Sequence, residues 1–309
     1  MVSDFYQPPL TRLKPFYPGQ WGVLGSDIGL GLRTDTRASV FYVDSGHAQT
    51  NDNHDGTDPD FPLQTITEAL TRCTANSNDF ILVRQITNAL ETFPIIINTN
   101  RVHLLSVFYD LGKGPEIRPV VDTAGVVISA DNVEIAGFEI GAGATHGCIE
   151  SDEATATWGA DIHHNRFSFQ WTGQDGIRMG GLVDKPHWMI HDNWFDDNIT
   201  RDGIRIDQNS TRTEIWGNHF RLTDAANTGI NLRQFCNDLF AIHDNVFAVA
   251  DAAAGEAIDC NAASANCMFW GNVAGQGMAA MGFIPYQDLS AGNNDWGINY
   301  AGILAVFPV

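Results

Sequence analysis

Lysine is almost missing from this chain. Asp and Glu total 37 against 17 Lys plus Arg, only Lys14, Lys113 and Lys185 are lysines, and the formal net charge is −20. A surface this acidic repels phosphate backbones and anionic lipid, so neither nucleic acid nor a membrane is expected as a partner. The five cysteines (Cys73, Cys148, Cys236, Cys260 and Cys267) are odd in number and form no Cys-x-x-Cys. That argues against a disulfide framework and a zinc site and leaves them as small core fillers. No stretch approaches the ~18 uninterrupted apolar residues of a membrane helix. The opening, "MVSDFYQPPL", has no basic start followed by an apolar run, and the expectation is a chain without an export signal. Helical periodicity is missing from 120 to 275, and Asn-Gly hairpin signals are missing between the apolar runs. "GLGLR" (29–33) lacks the third glycine and the lysine of a phosphate loop.

What the chain has is a core-forming composition, 44% apolar and 10% aromatic over 309 residues, and a repeat. "IHDNVF" (242–247) nearly copies "IHDNWF" (190–195), with weaker copies at "IHHNRF" (162–167) and "IWGNHF" (215–220). Aligned on asparagine, Asn165, Asn193, Asn218, Asn245 and Asn272 follow one another at roughly 27 residues, and Phe138 takes the equivalent place one step earlier. A second motif keeps the same phase: "GCIES" at 147, "GIRMG" at 176, "GIRID" at 203, "GINLR" at 229 and "AIDCN" at 257. Alternating runs such as Ile177-Arg178-Met179 have the period of strands. A propeller blade needs roughly 40 residues, whereas about 27 suits one coil of a parallel β-helix with three short strands and three turns. Isoleucine and phenylalanine then point inward on either side of a turn. Asparagine, tolerant of the left-handed conformation, is expected to make the corner and to stack its amide on the next coil as a ladder.

The segment "FYVDSGHAQTNDNHDGTDPDFPLQTITEALTRC" (41–73), followed by "DFILV" (79–83), resembles the opening of right-handed parallel β-helix proteins of the pectin-lyase-like class. The resemblance covers about 41 to 285. It implies an all-β, single-stranded right-handed coil of about nine turns with a short N-terminal helical cap carrying Pro62, Thr65, Ile66, Ala69 and Leu70. The fold hosts polysaccharide lyases, glycoside hydrolases, epimerases and bacteriophage spikes alike, so it does not choose a function. Three parts are expected: an aromatic docking arm over 1–40, the coil over 41–284, and an apolar cap or tail over 285–309.

Polysaccharide-cleaving enzymes of this class carry their acids and basic groups on an outward strand face. Here that points to Asp175, Arg178, Asp202, Arg205, Asp207, Glu256 and Asp259, with Asn231 among them. Carboxylates on adjacent coils stand about 5 Å apart and on alternate coils about 10 Å apart, bracketing the separations used by retaining and inverting glycosidases. The "NTD", "DD" and "RIK" signatures of polygalacturonases and the "WIDH" of pectate lyases are missing, and a solvated ladder of compensating charges reads equally well. Asn51, Asn53 and Asp55 resemble the first half of a calcium loop, but Pro62 stands where the closing glutamate belongs. The histidines beside the corner (His163, His164, His191, His219 and His243) read as repeated turn residues before they read as zinc ligands. Trp171, Trp188, Trp194, Trp216 and Trp270 suit either a sugar-stacking surface or cross-coil packing. No cofactor is expected.

Two function classes follow. The preferred one is a virion structural protein: a bacteriophage capsid-decoration or spike subunit, assembled in the host cytoplasm as a homotrimer, docked on a capsid or tail protein through residues 1–40, and in contact with host glycans. The alternative is a polysaccharide lyase or glycoside hydrolase acting on acidic polysaccharide.

Overall fold

A computed structural model describes residues 38–108, 114–167, 173–181, 183–196, 199–207, 210–222, 228–233, 236–237, 239–249, 256–260, 265–276, 285–290, 294–301 and 304–306. The arm over 1–37 and Trp171 lie outside them.

Short strands recur with the period of the repeat, and each pairs in parallel with the equivalent strand one coil away, except Leu304–Val306, which turns back antiparallel on Asn299–Ala301. Three long sheets result, of ten, nine and eight strands. The eight-stranded sheet sets the number of coils that carry all three strands, against the nine or so expected from length. The molecule is a parallel β-solenoid, as the repeat predicts. Its main core is a continuous cluster running from Phe41 to Tyr286, with a second, smaller cluster of Tyr42, Leu82, Leu105 and Ala136. The coil does not stop at 284: Tyr286–Asp288, Asp295–Trp296 and Asn299–Ala301 add one strand to each long sheet.

The helical cap is where the motif puts it. Helix Ile66–Arg72 starts at Thr65, whose hydroxyl accepts the Glu68 amide at 3.1 Å, and it buries Ile66, Ala69 and Leu70. The carboxylate of Glu91 closes the same end, accepting from the Ile66 amide at 2.6 Å.

The Ile-x-x-Asn-x-Phe corner is built from stacked columns. Ile162 pairs with Ile190, Ile190 with Ile215 and Ile215 with Ile242, all fully buried. The Phe167, Phe195, Phe220 and Phe247 rings stack at centroid distances of 4.7, 4.5 and 4.7 Å. Between these columns runs the asparagine ladder. The Asn165 amide N–H donates to Asn193 Oδ1 at 3.0 Å, Asn193 to Asn218 at 3.0 Å, Asn218 to Asn245 at 3.0 Å and Asn245 to Asn272 at 3.2 Å. Each side-chain Nδ2 also donates to an isoleucine carbonyl one coil back, as from Asn193 to Ile162 at 2.8 Å. The ladder runs one step beyond the repeat, because the Asn272 amide donates to Asn299 Oδ1 at 3.1 Å.

Two expectations about this architecture are corrected. The left-handed residue of the corner is not asparagine but the one before it: His164, Asp192, Gly217, Asp244 and Gly271 have φ of 53, 52, 63, 55 and 67°. Asparagine stands there for its side chain, which supplies both an acceptor and a donor to buried backbone. The second correction concerns the first copy of the glycine motif. Ile149 pairs with Ile177 and Asp175 with Gly147, so Cys148, not Gly147, occupies the place of Gly176. In the later coils that place is tight. A Cβ on Gly203 would stand 2.7 Å from the Phe220 ring and 2.6 Å from the Gly229 carbonyl oxygen.

Candidate functional site

The strands Asp175–Met179, Asp202–Ile206, Thr228–Leu232 and Ile258–Cys260 lie side by side in the eight-stranded sheet. Their register puts Asp175 beside Asp202 and Arg178 beside Arg205, with Arg205 facing Asn231 and Asn231 facing Asp259. The sequence therefore brings these residues to one face, but it misjudges their burial. Asp175 is fully buried, Asp202 is 1% exposed and Arg205 8%. They open or line strands at a coil corner, where neighbouring arginines cover them.

Arg201, which sequence reasoning passed over, grips both oxygens of Asp175, through Nε at 2.8 Å and through its terminal Nη2. Arg205 donates to Asp207 at 2.8 Å and to Asp202 at 3.1 Å, and Asn231 donates to Asp202 at 3.2 Å. Arg178 reaches Asp207 at 3.4 Å and Glu150 at 3.8 Å. The network is a buried polar cluster with a wetter rim, not a solvated ladder. The signal for Arg201 was present in the sequence, as the residue just before "DGIRID".

The carboxyls of this face are driven apart in acidity. Burial, and then the charge of Asp175, pushes Asp202 up to about 6. Burial, and then Glu256, likewise pushes Asp259 up to about 6. Asp207 goes the other way: against the burial that would raise it, Arg205 and Arg178 hold it below the usual carboxylate range. Glu256 stands next to this group, accepting from the Thr228 hydroxyl at 3.4 Å. The buried Oδ1 of Asp259 has no hydrogen-bond partner among the described residues. A carboxyl that holds its proton to near neutrality, beside a second carboxylate, is the arrangement that proton donation to a leaving group requires.

A second cluster sits at the corner. His163 stacks on His191 at 4.8 Å, and His191 on Trp216 at 4.2 Å. Further along, His243 stacks on Trp270 at 4.3 Å. His191 is held by carboxylates at both ring nitrogens, Asp161 at 3.1 Å and Asp192 at 2.9 Å. Against burial, these two acids raise it to about 9. Glu134, bonded to His103 at 2.6 Å and His163 at 2.9 Å, is held down to about 2 despite its burial. Among the described residues two overlapping sets have metal-ligand spacing: Asp161 with His163 and His191, and His164 with His191 and Asp192. The repeat shows these histidines and aligns them in one column, but it does not show the carboxylates that hold the rings.

The other candidates separate. Trp188 is fully buried and donates to the Thr157 carbonyl at 3.1 Å, which removes it from any sugar-stacking surface. Trp194 and Trp270 are each 38% exposed, on opposite sides of the asparagine ladder. In the Asn51, Asn53 and Asp55 loop, Asn51 Oδ1 accepts the Asn53 amide at 2.9 Å and Asp55 Oδ1 accepts the Thr57 amide at 3.0 Å, so these oxygens serve their own turns. All five cysteines are free, and four of them are buried. No helix among the described residues is long and apolar enough to cross a membrane.

No family model matches this sequence, and no curated protein matches it. Among solved structures the chain is similar to a GH136 lacto-N-biosidase from Eubacterium ramulus, at 12% identity and a TM-score of 0.35, over 92% of this chain and 70% of that one.

Proposed function

We propose that the chain hydrolyses glycosidic bonds of an acidic polysaccharide on the face of the eight-stranded sheet, with Asp259 as proton donor and Glu256 as its ionised partner. The observation that carries this reading is the Asp259 carboxyl, whose buried oxygen lacks a bond partner among the described residues while the charge of Glu256, three residues earlier, acts on it. A protonated Asp259 would donate to the leaving oxygen, and the Glu256 carboxylate would either attack the anomeric carbon or activate water against it. Asp202 and Asp175 are too deeply covered to touch a substrate; with Arg201, Arg205 and Asn231 they position the strand edge. The side chains of Arg178 and Arg233 are 30% and 46% exposed, and give an acidic sugar chain local cations on a molecule that otherwise repels it.

The virion reading draws on the aromatic arm over 1–40 and on the apolar tail over 285–309, as elements that would dock on a larger particle. Residues 1–37 lie outside the described structure, and no observation in the described coil favours that role. The test is incubation with a panel of acidic and neutral polysaccharides, reading new reducing ends by colour and unsaturated products by absorbance. Hydrolysis that falls by about 10²–10⁴-fold in Asp259→Asn, with the thermal transition kept, is the expected result. Unsaturated products would replace hydrolysis with elimination, and full activity in the variant, or no product from any substrate, would overturn the assignment.

A further inference from the structure

The histidine corner carries more polar groups than a turn needs, and the repeat supplies its own control. At His243 the ring is clamped by Glu214 at 2.8 Å and Asp244 at 2.9 Å, and the coil before it presents Trp216 and Gly217, neither of which is a ligand. At His191 the same clamp recurs, but the coil before it presents His163 and His164. This is where two adjacent coils carry ligating side chains at both corner positions.

The orientation of the rings is that of metal ligands. An imidazole that binds a metal usually donates its other nitrogen to a carboxylate, which fixes the tautomer and aims the free lone pair. His191 has its Nε2 on Asp161 at 3.1 Å and its Nδ1 beside Asp192 Oδ2 at 2.9 Å. His163 repeats the pattern, with Nε2 on Glu134 at 2.9 Å and Nδ1 2.9 Å from His164 Nδ1. Two carboxylate-backed imidazoles thus turn their Nδ1 atoms to the same corner. The ligand atoms of His164, His191 and Asp192 all lie within 4.8 Å of one another. A tetrahedral ion with bonds near 2.1 Å sets its ligands about 3.4 Å apart, so modest side-chain rotation closes the set. The Asp192 side chain is 44% exposed, which leaves an approach from solvent.

We propose that His164, His191 and Asp192 bind a divalent first-row transition ion of the Zn²⁺ type, with solvent filling the fourth position. Two imidazoles and one carboxylate favour Zn²⁺, Co²⁺, Ni²⁺ or Cu²⁺ over Ca²⁺ or Mg²⁺, which prefer oxygen. The site lies on a different sheet from the Asp259 face, so it stands or falls independently of the hydrolase reading.

The experiment titrates the chelator-treated, untagged full chain with Zn²⁺ by calorimetry and with Co²⁺ by its visible ligand-field bands. One ion per chain is expected, with four-coordinate Co²⁺ intensity and a raised thermal transition. His164→Gly writes the residue that the chain itself uses at Gly217 and Gly271 in the same left-handed position, so it spares the backbone. It should weaken binding by about 10–100-fold, Asp192→Asn should do the same, and His243→Ala should leave affinity unchanged. Absence of Zn²⁺ and Co²⁺ binding, equal affinity in His164→Gly, or loss in His243→Ala would each overturn the site.

Discussion

The asparagine corner and the Asp-Gly-Ile-Arg strand are both columns of equivalent residues, yet they treat their letters differently. Along the corner, every step from Asn165 to Asn272 repeats the same amide in the same bond. Along the strand, the first position reads Gly147, Asp175, Asp202, Thr228 and the fourth reads Glu150, Arg178, Arg205, Asn231, Asp259. From Asn165 onward the corner holds its letter because its amides answer buried backbone groups, which occur identically on each of these coils. The strand can vary because its fourth position meets other side chains. Repetition therefore marks architecture in this molecule, and both proposed sites lie where the repeat changes letters.

The largest expected effect breaks the corner. Asn218→Ala removes the acceptor of the Asn193 amide and the donor to the Ile190 carbonyl, both buried. Two or three orphaned groups at about 1–3 kcal/mol each should cost about 3–5 kcal/mol. Asn231→Ala, an asparagine on the strand with one bond at 3.2 Å to Asp202, should cost less than about 1 kcal/mol. Urea unfolding of the two variants measures the contrast, and equal losses would mean that the strand is as structural as the corner.

The corner was legible because one period carries three buried letters. The ladder step at Asn299 is hidden because the isoleucine and phenylalanine around it have given way to Trp296 and Ala301. The left-handed position was misassigned because asparagine and the residue before it both tolerate positive φ, and only the hydrogen bonds decide between them. On the strand, alternation located the outward residues but not their cover. Arg201 buries Asp175 from a position outside the strand, and no period of two can show that.

The second comparison is in pH. Folding raises both Asp202 and Asp259 from ordinary carboxyl values to about 6, so the folded state binds more protons than the unfolded one between about 4 and 6. Stability contributed by these two groups is present below the unfolded value and lost as pH rises through about 6. Asp202→Asn, which keeps the shape and cannot ionise but gives up one of the two acceptor oxygens used by Asn231 and Arg205, should flatten that loss, whereas Asp207→Asn should not, because Asp207 is held below its usual range. Thermal melts from pH 4 to pH 7 read the difference, and identical slopes in the wild type and Asp202→Asn would show that Asp202 ionises freely in the folded state.

The smallest effect separates two arginines that the sequence writes as equivalents. Arg178 and Arg205 are strand neighbours in the same column. Arg205 has a side chain 9% exposed and holds two carboxylates at 2.8 and 3.1 Å. Arg178, at 30% exposure, reaches its carboxylates only at 3.4 and 3.8 Å. An exposed pair at that range contributes little once screening and side-chain entropy are counted, so Arg178→Ala should change stability by no more than about 1 kcal/mol. Arg205→Ala should cost more, because Asp202 would keep its burial and lose its nearest cation. The asymmetry reverses for substrate: the wetter arginine is the one an acidic sugar can reach. Arg178→Ala should therefore raise KM with kcat unchanged, and an unchanged KM would remove Arg178 from the binding face while leaving the Asp259 chemistry in place.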